Sequence, residues 1–347
     1  MAHITCLAVE GCLLSGTVGL MDAFGIANLW QQAVEGEGAE PLFKTEIVTV
    51  DGRPLSAYGG IQVQPNRSIT DVNQADVILV PPLLPNVGPQ PARIEDLLAW
   101  LRDHYRRKTL IGALCTGAFA LAETGLLDGK RATTNWQYAR MFRRRYPRVR
   151  LQPEKVMTED SGLICTGAAT SFFQLGLYLI EYFGSEELAR SCAKALLVDP
   201  NRESQAPYAI LDLPRDHGDA GVLQAQRVME NRYSEILAID EIAREVGISP
   251  RHFKRRFKQV IGETPLSYLQ RVRIEAAKKK LERSRVPVSE ITWQVGYTDS
   301  SSFCRLFKKT TGLSPRDYRE KFFRQRAVGS SVVWGSGIRK DLTPLTG

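Results

Sequence analysis

The sequence predicts two folds in one chain: an α/β domain with a largely parallel sheet and helices on both faces, then an all-α domain with two helix-turn-helix units. Three observations carry this. Over residues 1–198 strand-like apolar runs alternate with helix-period patterns, as in a layered α/β domain. Residues 240–268 and 289–318 repeat one another. The basic excess is confined to residues 221–326, with 23 Lys+Arg against 12 Asp+Glu, whereas residues 1–220 hold 21 against 25.

The first domain reads in order as follows. "HITCLAVE" is a strand, and a helix follows near residues 18–34. "FKTEIVTVD" and the glycine-bounded "GGIQVQP" are extended. "DVILVPP" leads into the helix "ARIEDLLAWLRDHYRRK", and "TLIGALC" into "TGAFALAETGLL". "KRATTNW", the basic helix "QYARMFRRRYP" and the extended pair in "VRLQPEKVMTEDSGLICTG" come next. Two helices near residues 170–183 and 185–198 close the region. Ligands of such sheets bind beyond the carboxyl ends of the strands, where Pro82, Cys115 and Thr166 fall.

In the basic segment Phe253, Arg255, Phe257, Lys258, Gly262, Pro265 and Tyr268 recur 50 residues on as Phe303, Arg305, Phe307, Lys308, Gly312, Pro315 and Tyr318. Gly247 and Gly296 are 49 apart, so the second turn is one residue longer. Each unit is helix, glycine turn, helix. Ile242, Ala243 and Val246 make an apolar stripe, and Gly247 permits a left-handed C-cap. Ser249 is placed to cap the next helix, with Pro250 at its first position. Phe253 and Phe257 then share one face, and the basic side chains lie elsewhere. Pro265 to Arg283 reads as a long helix joining the units. Such a second helix enters the DNA major groove.

The segments "VGISPRHFKRRFKQVIGETP" and "VGYTDSSSFCRLFKKTTGLSP", in this order and spacing, resemble the DNA-binding domain of the AraC family of transcription regulators over about residues 221–324. The resemblance implies double-stranded DNA as partner. On the first reading helix the expected contacts are Arg251, His252, Lys254, Arg255 and Lys258. On the second they are Ser300, Ser301, Ser302, Arg305 and Lys308. Arginine suits guanine O6/N7 and phosphate, whereas short hydroxyls discriminate bases weakly, so Arg305 is expected to carry the second readout.

The stretches "ALCTGAFALAETGLLDGKRATTNW" and "ICTGAATSFFQLGLYLIE" resemble the PfpI-type branch of the class I glutamine-amidotransferase-like fold, a flavodoxin-like arrangement. Together with the C-terminal domain they resemble the GlxA group of AraC regulators. In PfpI-type enzymes the cysteine at the strand-to-helix turn is a nucleophile, here Cys115. Its enzymatic partners are altered. Thr116 stands where His is common, Asn135 precedes Trp136 where His is frequent, Gly16 occupies the acidic position, and "VPPLL" replaces the "PGG" turn, leaving the Leu83 amide. A thiol at a helix N-terminus is expected to have a lowered pKa. The expected role is a pocket for a small effector at Leu83, Cys115, Thr116, Asn135, Trp136 and Thr166, on a catalytically degenerate scaffold and not an enzyme. Three alternatives stay open: a C–N hydrolase at Cys115, a thiol sensor of oxidants or electrophiles, and a cysteine that is only a small buried hydrophobe.

The expected organisation is a sensor domain at 1–198, a polar linker at 199–219, a DNA-binding domain at 220–326 and a mobile tail at 327–347. The PfpI resemblance implies a homodimer. The six cysteines are scattered without a CxxC pair, which argues for a reducing cytoplasm and against a disulfide framework or zinc site. No cofactor is expected. No apolar run approaches the ~20 residues that span a membrane, and "MAHITCLAVEG" lacks the basic start of a signal peptide.

Overall fold

The computed structural model describes residues 1–36, 38–83, 91–210 and 213–323. The expected tail at 327–347 lies outside them. The chain forms two compact units, the first over Met1–Leu213 and the second beginning at Pro214. No described helix is long and apolar enough to cross a membrane.

The first unit is built on β1 (Ala2–Leu7), α1 (Ser15–Glu35), β2 (Phe43–Thr49), the short β3 (Leu55–Ser56), β4 (Gln62–Val63) and β5 (Arg67–Ser68), and β6 (Val77–Val80). It continues with α2 (Pro91–Arg106), β7 (Leu110–Ala113), α3 (Gly117–Glu123), β8 (Arg131–Ala132), α4 (Ala139–Arg145), β9 (Arg150–Leu151), β10 (Met157–Asp160), β11 (Leu163–Thr166), α5 (Phe172–Phe183) and α6 (Glu186–Ala195). Seven strands pair in the order β10-β11-β7-β6-β1-β2-β5. All pairs are parallel except the edge hairpin β10–β11. The expected sheet is therefore present.

Its central strands are buried on both faces, which is why they read as unbroken apolar runs. Alternation sorts their side chains. Val77, Leu79 and Ile164 face a core with Leu20, Phe24, Leu175 and Ile180 of α1 and α5. Ile78, Val80 and Cys165 face the other core, with Leu97, Leu121 and Phe142 of α2, α3 and α4.

The stretch expected as linker divides in two. Its first part is strapped to the first unit by Val156 N–H to the Glu203 carbonyl, 3.0 Å, and Gln205 N–H to the Glu154 carbonyl, 2.9 Å. Composition does not show this, because the bonds are made by backbone groups.

The second unit holds α7 (Ala220–Asn231), α8 (Ile239–Glu245), α9 (Pro250–Ile261), α10 (Pro265–Arg283), α11 (Val288–Gln294), α12 (Ser300–Thr311) and α13 (Pro315–Phe322). The repeat in sequence is a repeat in packing. Phe253, Phe257 and Tyr268 stack edge to face, with centroids 5.5 and 5.4 Å apart. Phe303, Phe307 and Tyr318 repeat the contact at 5.7 and 5.4 Å, the first pair tilted and the second edge to face. Each terminal tyrosine donates to a carboxylate on an earlier helix: Tyr268 to Glu230 of α7 at 2.5 Å, Tyr318 to Glu282 of α10 at 2.6 Å. Gly247 and Gly296 turn the chain with φ of 70° and 83°, where a β-carbon is strained.

Tyr318→Phe leaves the ring packing and removes a bond to a charged acceptor, so it should lower the unfolding free energy of the second unit by about 1.5–3 kcal/mol. Chemical denaturation followed in that unit measures it, and an unchanged midpoint would contradict the assignment.

Candidate functional site

The chain leaves β7 at Ala113, and Leu114 N–H bonds the Val80 carbonyl at the end of β6, 2.9 Å. α3 starts hard against that point. A β-carbon on Gly117 would lie 2.6 Å from the Pro81 oxygen and 2.7 Å from the Val80 oxygen. The chain must therefore reverse between them, and Cys115 takes a left-handed φ of 53°. For a residue with a side chain this costs about 1–3 kcal/mol, which surrounding bonds must outweigh.

Those bonds come from several elements. Cys115 N–H donates to the Thr166 hydroxyl, 3.3 Å, and Thr134 donates its hydroxyl to the Cys115 carbonyl, 2.9 Å. Thr116 gives its hydroxyl proton to the Leu83 carbonyl. The Asn135 side-chain oxygen accepts from Gln137 N–H at 3.0 Å, which leaves its amide hydrogens for the Cys115 sulfur. Leu83, Cys115, Thr116, Asn135 and Thr166 are thus brought together. Trp136 is half-buried and begins a single 3-10 turn, Trp136–Tyr138.

The expectation of a lowered thiol pKa is overturned. Cys115 is 6% exposed, and burial pushes its thiol up. Hydrogen bonds from the Asn135 side chain and the Thr116 amide oppose this without outweighing it. α3 has only seven residues, and its N-terminal field does not offset the loss of water around a thiolate.

Among the described residues no imidazole or carboxylate is among the groups acting on the thiol. Glu10 accepts from Ser56 N–H at 3.2 Å. A β-carbon on Gly16 would touch Leu114 at 3.1 Å, so that position lies beside the elbow and carries no side chain. His104 is buried, with Nε2 3.2 Å from the Val72 carbonyl, and burial lowers its pKa. The described residues contain no cluster of three or more His, Cys, Asp or Glu side chains able to hold a metal ion.

Sequence reasoning missed Thr134 and Gln205. Gln205 is 3% exposed, and its amide nitrogen donates to the Thr134 carbonyl at 2.8 Å and the Lys155 carbonyl at 3.1 Å. It braces the elbow from behind, 71 residues along the chain from Thr134, and no local pattern announces it. A cavity of about 690 Å3 lies elsewhere in this unit, lined by Met157, Gln174, Tyr178, Glu181, Arg190 and Arg202 among others; none of the six expected pocket residues lines it.

In the second unit α9 buries Phe253, Phe257 and Ile261. It exposes Arg251, His252, Lys254, Arg255 and Lys258. α12 buries Phe303 and Phe307. It exposes Ser301, Ser302, Arg305 and Lys308, with Ser300 half-buried. Lys254 is paired with Asp240 at 2.7 Å, and Arg305 donates to the Ser302 hydroxyl at 3.2 Å. Ser249 occupies the N-cap of α9 but makes no side-chain capping bond, a correction to its expected role.

Two carboxylates went unread in the sequence. Asp299 accepts from the Ser301 and Ser302 amides at 3.2 and 2.8 Å, opening α12. Asp219 caps α7 through Val222 N–H, 3.0 Å, and grips Arg256 of α9 with two bonds of 2.6 and 2.9 Å. A first reading helix is thus held by a residue 37 positions upstream.

Burial alone would raise the Asp219 carboxyl, but the Arg256 side chain and the Val222 amide outweigh it and hold it below the usual carboxylate range. A depressed folded value contributes stability that is present above the unfolded pKa of about 3.9 and is lost as pH falls through the folded value. Asp219→Asn should therefore destabilise the second unit at pH 7, and the deficit should shrink below about pH 4. Denaturation midpoints of both proteins across pH test this; a deficit independent of pH would contradict an ionised pair.

Comparison with known proteins agrees with this division. Residues 31–182 match the model of the DJ-1/PfpI family, and residues 242–321 match a helix-turn-helix domain. The HTH-type transcriptional regulator GbdR of Pseudomonas aeruginosa is 24% identical over 314 residues, covering 89% of this chain and 83% of the relative. The regulator ArgR of the same organism is 29% identical over 243 residues, 70% and 72% of the two chains. The regulator GlxA of Rhizobium meliloti is 25% identical over 227 residues, 64% and 68%. A DJ-1/PfpI match ahead of a helix-turn-helix match, with alignment to HTH-type transcriptional regulators along most of the chain, supports a GlxA-type AraC regulator that acts by binding DNA.

Proposed function

We propose that the first unit is a sensor: a small metabolite binds at the Cys115 elbow, and its occupancy changes how the second unit engages DNA. The observation that carries this reading is the chemistry at the thiol. The elbow of a nucleophile is kept, yet the sulfur is buried, its pKa is raised, and it faces the neutral groups of Asn135 and Thr116. A nucleophile needs a base and a developing-charge site; a binding pocket needs only convergent polar groups and an apolar wall. Asn135, Thr116, Thr166 and the Leu83 amide are the proposed polar groups, and Trp136 the face for an apolar or cationic part of the ligand.

On the same reading the sensor spans 1–198, the DNA-binding domain 220–326, and the working species is a homodimer with four reading helices. Arg251, Lys254 and Arg255 on α9 and Arg305 on α12 reach base edges or phosphates. His252, Lys258, Lys308 and the serines 300–302 make the remaining contacts.

Arg255→Ala and Arg305→Ala should each cost about 1–3 kcal/mol and relax specificity in one half of the site. Lys258→Ala should weaken all sequences alike and flatten the salt dependence. Binding to systematically varied duplexes measures both, and uniform losses for the arginines would place them on phosphate.

Cys115→Ser keeps size and a polar group and should leave the effector response largely intact, whereas Cys115→Trp should abolish it with DNA binding preserved. Amide hydrolysis that disappears in Cys115→Ser would overturn the reading in favour of an enzyme. Loss of an oxidant response in both variants would overturn it in favour of a thiol sensor.

A further inference from the structure

α4 carries a charge cluster that neither the elbow nor the reading helices use. Residues 140–150 contain Arg140, Arg143, Arg144, Arg145, Arg148 and Arg150 and no Asp or Glu. The rest of residues 1–220 is acidic, with 15 Lys+Arg against 25 Asp+Glu. The patch therefore opposes the field of the unit that bears it.

Packing fixes its orientation. Ala139 and Phe142 are the buried residues of α4. The Phe142 ring lies 4.9 Å from both Phe119 and Tyr146. Arg140, Arg143 and Arg144 are thereby turned to solvent. Two members are engaged: Arg145 pairs with Glu123, and Arg148 with Asp128 at 2.6 Å. Arg143, Arg144 and Arg150 have no acidic partner among the described residues. Like charges are also crowded. Arg140 stands three and four residues from Arg143 and Arg144 on one helix, and Arg150 is directly opposite Arg131 in the β8–β9 pair.

We propose that this face is a second DNA-backbone site, in which Arg143, Arg144 and Arg150 hold phosphates of duplex DNA outside the base pairs read by α9 and α12. Guanidinium forks match phosphate oxygens, and an exposed helix without a base-reading groove implies contacts independent of sequence. Duplex DNA is favoured over other polyanions by charge complementarity with its closely spaced phosphates, and because the same chain carries a helix-turn-helix domain.

The test is the salt dependence of binding by the full-length protein. Two duplexes are compared: one trimmed to the base pairs protected by the reading helices, and one extended at both ends by nonspecific sequence. The wild type should show a steeper slope of log Kd against log salt on the long duplex, by about 0.9 for each phosphate neutralised. The variant R143Q/R144Q/R150Q should lose that extra slope and match wild type on the short duplex. R143K/R144K/R150K should retain it. All three side chains are exposed, so thermal midpoints should be unchanged, which separates lost contacts from misfolding. Equal slopes for wild type and the glutamine variant on both duplexes would overturn the proposal. So would unchanged DNA binding with transcription lost in a purified system, which would assign the patch to an acidic protein surface.

Discussion

The start of α3 approaches the end of β6 so closely that only a hydrogen fits between Gly117 and the Val80 and Pro81 carbonyl oxygens. The first unit is organised around this constraint. With no room for a gradual turn, Cys115 is driven to a φ of 53°, and its peptide groups face away from the strand ladder. They must find partners elsewhere, because an unpaired buried amide or carbonyl costs as much as a lost hydrogen bond. Thr166 from β11 and Thr134 beyond β8 supply them, and Gln205 in turn holds the Thr134 carbonyl. The elbow is thus a junction of distant segments, and the burial of its thiol follows from that convergence.

Burial then decides the chemistry. A half-exposed thiol at a helix start is activated; one surrounded by Asn135, Thr116 and apolar walls is held protonated, because the dipoles available are neutral and water is excluded. The same packing that keeps the elbow geometry raises the thiol pKa. This is why recognition, not bond cleavage, is the role proposed for the site.

In the second unit the duplicated core hides an asymmetry between the reading helices. α9 presents Arg251, Lys254 and Arg255, and is locked through Arg256 to the Asp219 cap of α7. α12 instead opens on Asp299, whose carboxylate accepts from the Ser301 and Ser302 amides. An acidic group at that end stabilises the helix but repels phosphate, so the two helices differ in charge at their starts although each belongs to a buried Phe-Phe-Tyr set.

The parallel sheet, the helices on its faces and the two helix-turn-helix units were legible in the sequence because each rests on a local pattern. Period two sorts Val77 and Leu79 from Ile78 and Val80, and period 3.6 aligns Phe253 with Phe257. The 50-residue repeat marks the duplicated helices. The cysteine elbow was legible too, since an apolar run followed by Thr116 and Gly117 has few other foldings. The raised thiol pKa, the Gln205 brace, the Asp219–Arg256 grip and the attachment of residues 203–205 to the first unit were decided only by tertiary structure. Each depends on groups 37 or more positions apart, or on how much water packing removes from a single sulfur. Sequence spacing carries neither quantity, because burial and long-range hydrogen bonding are properties of the assembled layers and not of any one of them.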